Sequence, residues 1–328
     1  TEDASSAASD VYKRQGQGAW RGVASQRFGP GKACTIRLAA AGRLQRGSIP
    51  MRALNLIKTG PSPCRLIALA IALLLTSAAA HAADTPCEDA GGYSFVCGLQ
   101  SAEDLVRVPG THWIIASGFV PGAGLYLVDA QNKTWTTGYP GDTGRAAQDM
   151  EAWGNCPGAP DAAALVTHGL NLRPGADGHA TLYVVGHGGR EAIEVFDVDA
   201  SGPMPVLTWT GCIILPEGMV ANSVASFGDG SLVATFPLHP GKTISDAMAR
   251  KPTGAVHRWS PGDRSFTPIQ GTEMPYANGI EVSADGREFY VASSGLFNVT
   301  AFSNTNPARA LRTTQTLDFI PDNLHMGA

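Results

Sequence analysis

From Leu105 onward almost every apolar run in the chain is four to seven residues long, rich in Val, Ile, Tyr and Phe, and bounded by Gly, Pro, Asp or Asn. LVRV, HWIIAS, GLYLVDA, TLYVV, AIEVFDV, SLVATF, AVHRWS, EFYVASS and VTAFS are the clearest. This is the pattern of short strands joined by turns. One small sheet of such strands cannot bury both of its faces, whereas sheets repeated around an axis bury them on each other. The block from Gly279 shows the unit: an inner strand GIEVS, a tight turn at Asp285-Gly286, then EFYVASS, VTAFS and an outer strand around Arg312 to Phe319.

Polar signatures recur on the same period. They are Glu103-Asp104 in SAEDLVRV, His168 in HGLN, Asn222 in VANSVAS, Asn278 in YANGIEV and Asp322-Asn323 in IPDNLH. From Glu103 through His168, Asn222 and Asn278 to Asp322 the steps are 65, 54, 56 and 44 residues, blade-like intervals. Five inner-strand starts follow from this count. The stretch from His168 to Asp199 also sets His168 and His187 on either side of a predicted hairpin.

One polar group per blade, all facing one axis, makes a site for a hard cation. Calcium takes six to eight oxygens in flexible geometry. Glu103, Asn222, Asn278, Asp322 and Asn323 supply two carboxylates and three amides. Singly each reads as an ordinary turn residue, and Asn278-Gly279 is a common hairpin pair. Shared spacing makes them a set. A lone His is likewise more often a core or turn residue, but a hairpin folded over the axis brings His168 to His187, and such a pair can activate water near neutral pH. GHGGR is followed by a strand pattern instead of a helix, so no phosphate-cradling loop is indicated. Neither a GxSxG elbow nor an HExxH pair occurs.

The first fifty residues carry no sustained period and read as an upstream, non-native segment. Residues 51–82 read as a secretory signal: Met51, then Arg52, Lys58 and Arg65, an apolar run from Leu66 to Leu75, and Ala80-His81-Ala82 at the cleavage site. The protein is therefore expected to be periplasmic or secreted, with no stable membrane insertion once the signal is cut. Residues 83–328 keep 13 basic and 25 acidic side chains, a balance that disfavours nucleic acid and anionic membranes. They also hold Cys87, Cys97, Cys156 and Cys212, an even count suited to an oxidising compartment. Cys156 lies 12 residues before His168 and Cys212 lies 10 before Asn222, which favours Cys156 with Cys212 and Cys87 with Cys97. One helix is expected, capped by Ser245 and running through Ala249.

AEDL, HGLN, LYVVGH followed by EVFDV, NSVA, ANGIEVSADGREFYVAS and PDNL occur in the order and with the gaps of a known family. At these residues the chain resembles the serum paraoxonase/arylesterase family and, more distantly, the senescence-marker-protein/gluconolactonase group. The resemblance implies an all-β, six-bladed β-propeller, here truncated to about five blades. It implies a catalytic calcium on Glu103, Asn222, Asn278, Asp322 and Asn323, and a histidine dyad at His168 and His187. It implies a second, structural calcium on Asp104 and the Leu170 carbonyl, although Ser223 stands where that family has Asp. The implied reaction is hydrolysis of a small lactone or aryl ester; a non-enzymatic calcium propeller that binds a ligand on the same face is the alternative.

Overall fold

A computed structural model of the chain describes residues 89, 91–141 and 144–327, together with the backbone of two short strands near the N-terminus. The chain divides into two units, Thr1–Ala79 and Ala80–Ala328. In the first, β1 (Ser25–Arg27) pairs antiparallel with β2 (Ala33–Thr35), where the sequence predicts no element. The expected signal segment and Cys87 lie outside the described residues.

The second unit is an all-β propeller, and its described residues form four blades. Blade one is β3 (Ala102–Arg107), β4 (Trp113–Gly118), β5 (Leu125–Asp129) and β6 (Thr134–Tyr139). Blade two takes a short β7 (Arg145–Ala146) beside β8 (Val166–Pro174), β9 (His179–His187), β10 (Ala192–Asp199) and β11 (Val206–Ile214). Blade three is β12 (Val224–Ser226), β13 (Leu232–Phe236), β14 (Ala255–Trp259) and β15 (Thr267–Pro268). Blade four is β16 (Ala277–Val282), β17 (Glu288–Ser293), β18 (Asn298–Ser303) and β19 (Ala310–Thr313). Pairing is antiparallel throughout except for β7, which runs parallel to β11. The inner strands β3, β8, β12 and β16 pack on one another in sequence order.

The uninterrupted apolar run TLYVV now has a physical reason. Leu182 and Val184 face the apolar layer shared with blade one, beside Ile115 and Leu127. Tyr183 and Val185 face the layer shared with blade three, beside Phe236 and Trp259. Both sheet faces are covered, so the strand need not alternate apolar and polar. A third layer joins blades three and four through Val233, Val256, Ile280 and Phe289. Each large side chain buried this way contributes roughly 1.5–3 kcal/mol.

Several expectations change. The outer strand of blade four is β19, earlier and shorter than Arg312 to Phe319. No fifth blade forms among the described residues; Asp322 to Gly327 is irregular. The expected helix is α2 (Ile244–Met248), counting after a one-turn α1 (Met150–Trp153), and its cap is Thr243 instead of Ser245. Thr243 accepts from the Asp246 amide while Asp246 bonds back to the cap, a reciprocal pair that Ser245 cannot form. Cys156 and Cys212 are joined, with Cα atoms 5.2 Å apart. Both belong to blade two: Cys156 follows α1, which packs on β11, so the pair is joined within one blade and the similar offsets to His168 and Asn222 are incidental. Cys97 is also disulfide-bonded.

Blade three carries a second histidine pair, a buried His257 whose Nε2 lies 3.2 Å from that of the half-buried His239, with the Phe236 ring 4.3 Å from that of His257. Burial, and then the neighbouring His239, hold His257 at a pKa of about 4, below its ordinary 6.5. The unfolded chain therefore binds the proton first. His257 favours the folded state above pH 6.5, and that contribution is lost as pH falls toward 4. Thermal unfolding of the protein should lose stability more steeply over this window than His257→Leu does. Equal slopes would contradict the assignment.

Candidate functional site

The polar signatures share one backbone device. Inner-strand pairing slips between Ala102 and Leu105, between Thr167 and Leu170, and between Ala277 and Ile280. The two residues left out of the ladder are Glu103-Asp104, His168-Gly169 and Asn278-Gly279. In blade three Asn222-Ser223 occupies the same place, immediately before the short β12. A bulge turns side chains that the pleat would otherwise point at a neighbouring blade. Buried hydroxyls on the second strands receive the freed amides: Asp104 N donates to Ser117 Oγ at 2.9 Å, and Ser223 N to Thr235 Oγ1 at 3.1 Å.

Asn278-Gly279 is thus no hairpin turn. A Cβ on Gly279 would strike the backbone of Asp322 to Leu324, and one on Gly169 would strike that of Asn222 and Ser223. Glycine is required at both points because the next segment crosses there.

The structure brings all five expected oxygen donors together. Asn323 Nδ2 donates to Glu103 Oε1 at 3.1 Å, and Asn278 Nδ2 donates to Ser294 Oγ at 2.8 Å. Asp322 faces Glu103 and is hydrogen-bonded by Asn278; although the residue is exposed overall, desolvation of its carboxyl and then the negative Glu103 push its pKa up. Glu103 Oε2, Asn222 Oδ1, Asn278 Oδ1 and Asn323 Oδ1 are buried without a hydrogen-bond partner. They are four of seven such side-chain atoms among the described residues. Orphaned buried oxygens cost about 1–3 kcal/mol each, and four in one place fit a site for a hard cation. No group of three His, Cys, Asp or Glu is disposed to hold a metal among the described residues, since asparagine supplies most of these oxygens.

The hairpin of β8 and β9 pairs Val166 with His187, so the bulged His168 stands over the end of the partner strand. His168 Nδ1 lies 3.0 Å from His187 Nε2, and His187 Nδ1 lies 2.5 Å from Glu191 Oε2. Both rings are largely covered. An ionised Glu191 only accepts, so His187 Nδ1 carries a proton and its Nε2 accepts from His168 Nδ1. The remaining nitrogen, His168 Nε2, then presents a lone pair to the ring of oxygens. It lies 3.3 Å from Asn222 Nδ2 and 3.4 Å from Glu103 Oε1. Phe119, 40% exposed, lays its ring 4.3 Å from that of His168 and 6.0 Å from that of His187, an apolar surface beside the pair.

The second expected ion site looks different. Asp104 is 2% exposed, and its carboxylate is filled with donors: Leu105 N and His325 Nε2 on Oδ1, Leu170 N on Oδ2, each at 2.7 Å. The bond from Leu170 to Asp104 is made by its amide. Burial alone would lower the pKa of His325, but its bonds to Asp104 and Glu281 prevail and push it up to about 10. These residues do not fit an ion.

Glu191, Phe119 and His325 were missed as site residues from sequence. Glu191 lies four residues after His187 in the strand connection, a weak signal; Phe119 has none. A cavity of about 490 Å³ is lined by Trp153, Arg173, Tyr183 and Trp259 among others, and by none of the ring residues.

No protein-family model and no curated protein matches the chain. Among solved structures it is similar to a gluconolactonase from Xanthomonas campestris, at 17% identity and TM-score 0.42 over 69% of this chain and 67% of that one. It is similar to regucalcin, a calcium-binding protein from Agrobacterium tumefaciens, at 11% identity and TM-score 0.39 over 65% and 60%. A luciferin-regenerating enzyme is similar at 12% identity and TM-score 0.40 over 66% and 62%. The chain spans less than two thirds of the length of the last two.

Proposed function

We propose that the ring of Glu103, Asn222, Asn278, Asp322 and Asn323 holds one calcium ion and that the chain is an exported calcium-dependent hydrolase of lactones or aryl esters, of the paraoxonase/arylesterase kind. The observation that carries this reading is the convergence of four buried, unpartnered oxygens beside a histidine relay that ends in the lone pair of His168 Nε2, itself beside Asn222 Nδ2. Bound there, calcium supplies a Lewis acid for a carbonyl oxygen and a countercharge for the oxyanion. His168 Nε2 takes a proton from water as the water oxygen bonds to the carbonyl carbon. The positive charge spreads to His187, whose Nδ1 proton is held by Glu191. The bond from carbon to the alkoxide or phenoxide then breaks, and His168 returns the proton to the leaving oxygen. Phe119 offers apolar surface for the substrate's hydrocarbon part.

Purified protein assayed on aryl acetates and on five- and six-membered lactones should turn over at least one class with calcium and none after chelation. His168→Ala should lower kcat/KM by about 10²- to 10⁴-fold, the usual contribution of a positioned base. Glu191→Gln, which leaves the dyad in place, should cost less. Calcium binding without hydrolysis of any of these substrates would favour the non-enzymatic propeller.

A further inference from the structure

We infer that the imidazole of His325 stands in for a second ion, fastening the segment that carries Asp322 and Asn323 to the first blade. The count of one bound calcium rests on the ring reading above, whereas the replacement at Asp104 stands on its own contacts.

Asp104 and Glu281 are two shielded carboxylates on inner strands β3 and β16, and among the described residues neither pairs with a Lys or Arg. Two such anions need a cationic or donating partner between them. His325 supplies it: Nε2 lies 2.7 Å from Asp104 Oδ1 and Nδ1 lies 3.8 Å from Glu281 Oε2. Calcium needs oxygens at about 2.3–2.6 Å, and a ring N–H already bonded to the same carboxylate oxygen occupies that space. Glu281 Oε1 accepts from Val282 N at 2.8 Å. At the third corner Ser223 is 2% exposed and offers a hydroxyl where an ion would need a carboxylate; its Oγ lies 3.4 Å from Ile280 N. The Leu170 amide donates to the other carboxylate oxygen of Asp104 at 2.7 Å. Both carboxylate oxygens of Asp104 therefore already accept from donors, and two residues beyond Asn323 the chain gains its own fastening.

Equilibrium dialysis with metal analysis on the full chain tests this, comparing the protein with the double variant His325→Ala, Ser223→Asp. The variant should bind one calcium ion more than the protein does. An equal count, or a second ion bound by the protein with His325 intact, overturns the inference. Failure of the ring reading would appear separately, as a count of zero in the protein, and the variant's extra ion would still decide the matter. Should the double variant not fold, nitrogen-15 NMR of the histidine rings in the unaltered protein decides it. Persistence of the coupling from His325 Nε2–H to Asp104 at saturating calcium supports the replacement, and its loss overturns it.

Discussion

Replacing Asn278 with alanine should reduce turnover by about a hundredfold or more while leaving a folded protein. Asn278 is 6% exposed, and its Oδ1 is buried and unpartnered, so the calcium-free protein gains little from it. Its amide nitrogen donates to Ser294 Oγ, but Ser294 retains its bond to the carbonyl of Pro321. Removing the side chain takes away one desolvated oxygen, worth about 1–3 kcal/mol, and the amide's hydrogen bonds to Ser294 and Asp322, worth about 0.5–1.5 kcal/mol each, and these effects oppose one another. The calcium-free melting temperature should therefore scarcely move, while the increment that calcium adds should shrink. A variant that unfolds without calcium would point to a purely structural role, and one that retains full turnover would remove the ring from the chemistry.

Calcium itself should raise the melting temperature of the unaltered protein by about 5–10 °C when added at a hundred times its dissociation constant. Linkage sets this size: an ion bound only by the folded state contributes about 2.7 kcal/mol at that concentration, and a domain of this length shifts by roughly 2–4 °C per kcal/mol. Chelation should reverse the shift. The rise comes from satisfying oxygens that folding buries without partners, so magnesium, which demands a tighter octahedron and keeps its waters, should do much less. A cooperative transition unaffected by calcium or chelator would discard the ring as a metal site.

The ring residues were legible because each inner strand repeats on a similar interval, and an interval survives in the sequence whatever the side chains are doing. The reason for the interval was not legible. Glu103-Asp104, His168-Gly169 and Asn278-Gly279 leave the ladder as bulges, and hydrogen-bond register is a property of two strands, not of one. The same limit explains Asn278-Gly279, which reads locally as a turn and is in fact a crossing point for Asp322. Thr243 could have been found, since an acidic residue three positions on completes its capping box. Glu191, Phe119 and His325 act through neighbours that only the closed fold supplies. His325 lies within the quoted IPDNLH, yet nothing local tells of a carboxylate 221 residues away.

The bulges divide labour within each blade. Residues on either side of them hold the sheets together through backbone pairing and apolar layers, while the side chains of Glu103, His168 and Asn278 belong to neither. A substitution at Glu103, His168 or Asn278 can alter which ion or group the axis attracts, whereas Gly169 and Gly279 stay glycine so that the next segment can cross. The propeller is in this sense a socket with exchangeable contacts, open to new chemistries one blade at a time.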